Sequence, residues 1–247
     1  MNDEQRFKGK MSEEYQLISL ALPHFEELQA QVGKAVGEYQ AEPKTPILRV
    51  IDIGCGDGVT SHTILRSRGD VYLVCLDSEE EMVRQAKINL SEALLEKKSE
   101  LVHADALDYF KEQETGSAHI AASALTLHNM EKTYRDELHN EIFRALVPGG
   151  LFINADKYAP QDDIQRFKAL ERALERFFDA YAPLGKIKLL KDWVLHNVAD
   201  QAPDRCMKEG DTIDILRSIG FVDIKILYRE NMEAVLAAQK PMGSIGI

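Results

Sequence analysis

The segment Val50-Ile51-Asp52-Ile53-Gly54-Cys55-Gly56-Asp57-Gly58 constrains the fold more than any other part of this chain. A largely apolar run, residues 47–53, ends in three glycines at alternate positions, and a helix-like segment, residues 59–68, follows. That order predicts a buried strand, a tight turn and a helix N-terminus. Glycine permits positive φ and lets backbone come close to a ligand. Open α/β sheets bind ligands outside the carboxyl ends of their strands. The turn is therefore the first candidate binding site.

The remaining pattern supports an α/β sheet. Apolar runs at residues 71–76, 101–105, 120–127 and 151–155 read as further strands, the second ending at Asp77. Met82, Ala86 and Leu90 continue a helix from Ser78-Glu79-Glu80-Glu81, which has capping-box spacing. Leu138, Ile142 and Phe143 place residues 134–146 on a helix, and Pro148-Gly149-Gly150 makes a turn. Alternating strand and helix imply βαβ units and a mostly parallel sheet. After Tyr158 the pattern breaks. Residues 163–181 and 186–197 read as two helices joined by Pro183-Leu184-Gly185, residues 212–219 as a third, and residues 221–227 and 234–238 as two paired strands. Upstream, residues 1–12 are polar and expected to be mobile, and residues 13–39 are helical, with Pro23 as a start of their second helix. Residues 41–46 form a linker with two prolines.

Composition excludes several classes. A net charge of −11 disfavours a broad electropositive face for nucleic acid. Three scattered cysteines, Cys55, Cys75 and Cys206, make no disulfide framework, and no C-x-x-C or H-x-x-x-H spacing points to a metal. Residues 1–10 lack an apolar signal core, and no apolar run reaches membrane-span length. The expectation is a cytoplasmic chain without nucleic-acid or membrane partners.

The glycine spacing is G-x-G-x-G after an acid, Asp52. The dinucleotide pattern G-x-G-x-x-G would need Gly or Ala where Val59 stands. VIDIGCGDG resembles motif I of the class I S-adenosylmethionine-dependent methyltransferases. Asp77 sits where that family places the acid for both ribose hydroxyls. Ala104-Asp105-Ala106 resembles its adenine segment, Ser123-Ala124-Leu125-Thr126-Leu127-His128 its segment after strand four, and Leu146-Val147-Pro148-Gly149-Gly150-Leu151 its turn before strand five. An acid frequent near the start of strand four is replaced by Ser117-Ala118-His119. The resemblance implies a Rossmann-like fold with a seven-stranded, mostly parallel sheet, an antiparallel last strand and a helical cap. Residues 1–40 would be an N-terminal lid, and residues 41–247 the cofactor-binding domain, with a helical insertion at about 160–200. A narrower likeness runs to carboxy-S-adenosylmethionine synthases, through the Ser12-Glu13-Glu14-Tyr15 helix, Ala155-Asp156-Lys157-Tyr158 and the insertion. Their carboxylate-binding arginine has no clear counterpart; Arg205 and Arg217 fall only in the right region.

The resemblance makes Asp52, Gly54, Cys55, Gly56, Gly58, Asp77, Ser78, Asp105, Ala106 and Ala124 the residues for S-adenosylmethionine, with S-adenosylhomocysteine as product. Each has a plainer reading. The glycines fit any tight strand-to-helix turn, Asp77 any helix start, Asp105 a helix cap. His128 is a candidate base or a strand-end histidine bonded to backbone. Asp156 is a second catalytic candidate. Lys157, Tyr15, Trp193 and His196 are candidate acceptor or lid residues, with packing the alternative for Trp193. No Asn-Pro-Pro-Tyr, Asp-Pro-Pro-Tyr or Pro-Cys follows strand four, which argues against adenine, glutamine and pyrimidine-carbon acceptors and leaves a small molecule. Partners expected are that acceptor and a second copy of the chain. The alternatives are a cofactor-modifying synthase, a non-catalytic methyltransferase-fold regulator and a nicotinamide dehydrogenase.

Overall fold

The computed structural model describes residues 9–40 and 45–243. Seven strands form one sheet: β1 Leu48–Ile53, β2 Val71–Asp77, β3 Ser99–His103, β4 Ala118–Ala124, β5 Leu146–Lys157, β6 Val222–Glu230 and β7 Glu233–Gln239. Their order is β3-β2-β1-β4-β5-β7-β6. β1 to β5 pair in parallel, and β7 runs antiparallel to both β5 and β6. The strand order reverses between β1 and β4, which is where such sheets open a crevice for ligands.

The helices are α1 Lys10–Glu13, α2 Ile18–Ala21, α3 Phe25–Glu38, α4 Val59–Ser67, α5 Glu80–Asn89, α6 Ser91–Leu95, α7 Ala106–Glu112, α8 Lys132–Ala145, α9 Asp163–Tyr181, α10 Ile187–Ala199 and α11 Glu209–Ile219. Strands buried on both faces need apolar residues throughout, and β1 and β2 are almost wholly buried. One face packs Ile51, Ile53 and Phe152 against Phe110 of α7, Leu138 and Ile142 of α8 and Leu216 of α11. The other packs Val50, Leu73 and Ile153 against Leu28, Val32 and Val36 of α3 and Ile64 of α4.

A third apolar cluster lies outside this sandwich. Met11, Ile18, Ala21, Leu22 and Phe25 meet Phe177, Tyr181, Leu189, Leu190 and Trp193, with Leu125 of the sheet edge beneath them. The N-terminal helices and the insertion thus share a small core. Tyr181 Oη donates to Leu17 O at 3.1 Å, and Lys186 Nζ meets Glu14 Oε2 at 2.7 Å.

Several sequence expectations shift. Residues 1–8 and part of the proline linker, 41–44, lie outside the described residues. Residues 10–12 are helical, not mobile, because Met11 is buried in the cap. The helical stretch of residues 13–39 is broken into α1, a 3₁₀ turn at Tyr15–Leu17, α2 and α3. Strand β5 begins at Leu146, with Pro148-Gly149-Gly150 absorbed as an irregularity between the pairs Ala118↔Leu146 and Ile120↔Leu151. The capping box at Ser78 does not form: α5 has no side-chain cap, and Asp77 Oδ1 accepts the Glu79 N–H at 2.9 Å. No helix among the described residues is long and apolar enough to cross a membrane.

Candidate active site

A cleft of about 550 Å³ opens at the carboxyl ends of β1, β2, β3 and β4. The glycine turn forms its floor. Gly54 has φ 66°, and a Cβ there would stand 2.2 Å from Thr126 Cγ2. Thr126 Oγ1 in turn bonds Gly54 O at 3.1 Å and Ala124 O at 3.0 Å, so the turns after β1 and β4 are stitched together. Gly56 has φ 56°, and a Cβ there would point at Tyr15 Cε1 (3.8 Å) and Met82 Sδ (3.9 Å), both cleft residues. A methyl at Gly56 would therefore project into the cleft. Leu125 has φ 53°, a conformation costing a non-glycine residue on the order of 1–3 kcal/mol. This bend carries Thr126 to its contact with Gly54.

Asp77 closes the side of the cleft at the end of β2. Its Oδ2 accepts the Gly56 N–H at 2.8 Å and its Oδ1 the Glu79 N–H. Burial pushes its pKa above the ordinary carboxylate value, and those two N–H groups pull it back. Each oxygen keeps a lone pair beyond these bonds. Asp105 caps α7: Oδ1 accepts from Leu107 N, Asp108 N and Tyr134 Oη. It lines the cleft as well, so the cap stands on the cleft wall. Ser78, Leu76, Ala104, Ala106 and Ala124 complete this wall, with Cys55 at the turn. The Cys55 thiol is buried, and burial holds its pKa well above the ordinary value, which keeps it in the thiol form.

Asp52 and Gly58 do not line the cleft. Asp52 is fully buried in β1, where Oδ2 accepts from Ser61 Oγ at 2.6 Å and burial raises its pKa to about 7. Gly58 caps α4 against Leu90. Both support the turn from beneath.

The acceptor candidates divide. Tyr15 lines the cleft, and burial with the nearby carboxylates of Asp57, Asp77 and Asp156 raises its pKa strongly. It stands between the cleft and a second, buried group of side chains. In that group His128 Nδ1 meets Asp156 Oδ1 at 2.5 Å, and Asp156 also accepts the N–H groups of His128 and Lys157. Lys157 Nζ donates to Asn197 Oδ1 at 3.1 Å and lies 4.0 Å from Asp200 Oδ2. His128, Asp156, Lys157 and His196 come together here, behind the cleft wall and outside its lining. Trp193 stacks on Phe177, centroids 5.4 Å apart, inside the cap core; its packing reading is the one the geometry matches. Arg135 was not singled out from sequence. It is buried and donates to the carbonyls of Leu127, Met130 and Arg205, and so fixes the turn that carries His128 and Asn129. Tyr134, on Asp105, was missed for the same reason: nothing local marks a helix residue that reaches a distant loop.

The glycine turn after β1 and the acid at the end of β2 thus meet in one cleft at the carboxyl edge of the sheet. Residues 50–150 match the model of a methyltransferase domain. A carboxy-S-adenosyl-L-methionine synthase of Shewanella pealeana is 28% identical over 138 residues, 55% of this chain and 55% of that protein. The chain thus matches about half the length of such curated relatives. An S-adenosyl-L-methionine-dependent methyltransferase structure from Methanococcus maripaludis superposes with a TM-score of 0.61 at 17% identity, covering 95% of this chain and 94% of that one. Phosphoethanolamine N-methyltransferase 2 of Haemonchus contortus, solved with S-adenosylhomocysteine, gives 0.58 at 15% identity over 87% of this chain and 53% of that one. The chain is thus similar to class I S-adenosylmethionine-dependent methyltransferases, through the domain match at residues 50–150 and through its fold.

Proposed function

We propose that this protein transfers a methyl group from S-adenosylmethionine to a small-molecule acceptor, bound between the cleft and the cap. The observation that carries this reading is the pairing of the Gly54–Gly56 cradle, beside the β1/β4 switch point, with the Asp77 carboxylate at the end of β2. The cofactor supplies an activated methyl on a sulfonium, so no covalent nucleophile is required of the protein. Asp77 is placed to accept both ribose hydroxyls through charge-assisted bonds. Leu76 and Ala106 offer apolar surface for a base, and Asp105, held by Tyr134 and its own helix, lies beside them.

The protein's contribution is then position and exclusion of water. Proximity and orientation can supply roughly 7–11 kcal/mol of a bimolecular barrier. Tyr15, Leu125, Asn129 and Met130 line the part of the cleft nearest the cap, and the shared core of the N-terminal helices and α9–α10 covers that side. A formal net charge of −11 fits a small acceptor better than a polyanion. A base is needed only for an acceptor that loses a proton. His128 is adjacent in chain to Asn129 of the lining, but its Nδ1 is committed to Asp156.

The relatives' name favours a second reading, formation of a carboxylated cofactor. That reaction needs a cation for the added carboxylate, since an uncompensated buried charge is costly. Arg217 is exposed and pairs with Asp214, and Arg205 donates to Asn129 O and Glu131. Intact-ligand mass spectrometry of the protein purified from cells, with calorimetric titration of S-adenosylmethionine and NAD, tests both. Retention of unmodified S-adenosylmethionine or S-adenosylhomocysteine, with no NAD binding, is the expected result. A retained nucleoside heavier by one carboxylate would replace the first reading by the second, and absence of any S-adenosylmethionine binding would end both.

A further inference from the structure

Behind the cleft wall, two distant stretches of chain bring three metal-ligating side chains together. His128 lies in the 3₁₀ turn Leu127–Asn129 after β4. His196 and Asp200 stand four residues apart on α10 and its C-cap, so they share one helix face. His196 Nε2 is 3.7 Å from Asp200 Oδ2, His128 Nε2 is 3.9 Å from the same oxygen, and the three donor atoms lie within 4.8 Å of one another. All three residues are buried, at 5%, 6% and 8% exposure. Neither distance is a hydrogen bond.

We propose that His128, His196 and Asp200 bind one first-row divalent metal ion, of the zinc or ferrous type, which ties the cap helix α10 to the sheet. Two imidazole nitrogens with one carboxylate oxygen form a donor set of zinc and non-haem iron sites. Metal–ligand bonds of about 2.0–2.2 Å at tetrahedral angles put neighbouring donors about 3.3 Å apart, so closure needs only side-chain movements of under an ångström for the two measured pairs. The orienting partner is already in place. A histidine that binds metal through one nitrogen usually gives its other N–H to a carboxylate, and His128 Nδ1 meets Asp156 Oδ1 at 2.5 Å. That bond leaves Nε2 facing His196 and Asp200. Asp156 is itself fixed by two backbone N–H groups, from His128 and Lys157.

One group opposes the ion. Lys157 Nζ lies 4.0 Å from Asp200 Oδ2 and competes for that carboxylate, although its hydrogen bond goes to Asn197. The opposition gives the proposal a signed test. The sequence expectation of no metal came from looking for Cys and His pairs alone; the spacing present is His196-x-x-x-Asp200, with the third ligand 68 residues upstream of His196 at His128. The site lies outside the cofactor cleft, so it stands or falls apart from methyl transfer.

The experiment uses the full, tag-free chain, stripped with chelator and titrated with Zn²⁺ by calorimetry, with visible absorption of bound Co²⁺ as a second readout. One equivalent should bind. His196→Ala and Asp200→Asn should each abolish stoichiometric binding, Asp156→Asn should weaken it about 10–100-fold, and Lys157→Met should tighten it. Chelator should also speed hydrogen exchange in residues 187–200 of the wild-type protein. Absence of one-equivalent binding by the wild type, or binding undiminished in both ligand variants, overturns the proposal. If the ligand variants do not fold, a Lys157→Met chain that binds Zn²⁺ no tighter than wild type overturns it equally.

Discussion

The cleft at the strand ends is built from backbone and strand termini, whereas the group behind its wall, beneath the cap, is built from side chains gathered from distant parts of the chain. At the first, Gly54, Gly56 and Asp77 come from two adjacent parallel strands, and their geometry follows from sheet register: Ile53 pairs with Leu76 on one side and Ser123 on the other. At the second, His128 and Asp156 meet through the neighbouring strands β4 and β5, and α10, whose Leu189, Leu190 and Trp193 pack on the N-terminal helices, brings His196 and Asp200 to them. The first tolerates little change at a few positions. The second spreads its stability over many contacts.

The largest effect is therefore expected at Asp77. Asp77→Ala should cost S-adenosylmethionine binding two charge-assisted hydrogen bonds, each worth about 1.5–3 kcal/mol, or about a hundredfold or more in affinity by calorimetry. Unchanged affinity would remove Asp77 from the site. The thermal midpoint should fall as well, because Gly56 N–H and Glu79 N–H lose their acceptor.

Gly54→Ala comes next, read as stability. The added methyl meets Thr126 at 2.2 Å in a backbone conformation unsuited to alanine, and strain with overpacking should cost about 2–4 kcal/mol. Gly69→Ala is the contrast: nothing lies within 4 Å of that Cβ, and a shift within about 0.5 kcal/mol is expected. Equal losses in the two variants would show that the glycine turn is not specially constrained.

A smaller effect separates support from contact. The folded protein holds the Asp52 proton up to about pH 7, whereas an ordinary carboxyl releases it near 3.8. Across that window Asp52 binds more proton in the folded state, so its own contribution to stability falls as pH rises from about 4 to 7. Asp52→Asn should remove this slope. Its stability relative to wild type should rise through that range and level off above it, by about 1–3 kcal/mol. Denaturant midpoints at pH 4.5 and 8 decide it; parallel curves would mean that Ser61 and the protein around Asp52 accommodate its charge.

This contrast also explains what could be read in the chain. The G-x-G-x-G turn, Asp77 after β2, the mostly parallel sheet implied by alternating elements and the extent of α9 follow from local pattern and burial, and the structure has them. Less local features did not follow. The capping-box spacing at Ser78 is satisfied instead by Asp77, a choice set by the β2 terminus. Pro148-Gly149-Gly150 reads as a turn, yet pairing with β4 draws Leu146 into the strand on its far side. Asp105 was divided between cap and site because Tyr134, 29 residues on, supplies the bond that fixes it. The His128–His196–Asp200 group has no sequence signal beyond an i, i+4 pair, since its third member comes from another element.

The smallest expected effect tests how the cap is held. Tyr181 Oη donates to Leu17 O from a fully buried ring, and Tyr181→Phe deletes that bond while keeping the ring. A net loss of about 0.5–1.5 kcal/mol follows from one buried hydrogen bond, too little to unfold the domain. Hydrogen exchange locates it: residues 15–21 should exchange faster, while β1 and β2 stay protected. Addition of S-adenosylmethionine with an acceptor should then restore protection in residues 15–21, because closure orders a lid. Unchanged exchange in the variant would mean that the stacked Phe177–Trp193 pair and its apolar neighbours hold the cap alone. Absence of protection on adding ligands would mean that the cap does not close, and its shared core would then be a fixed wall.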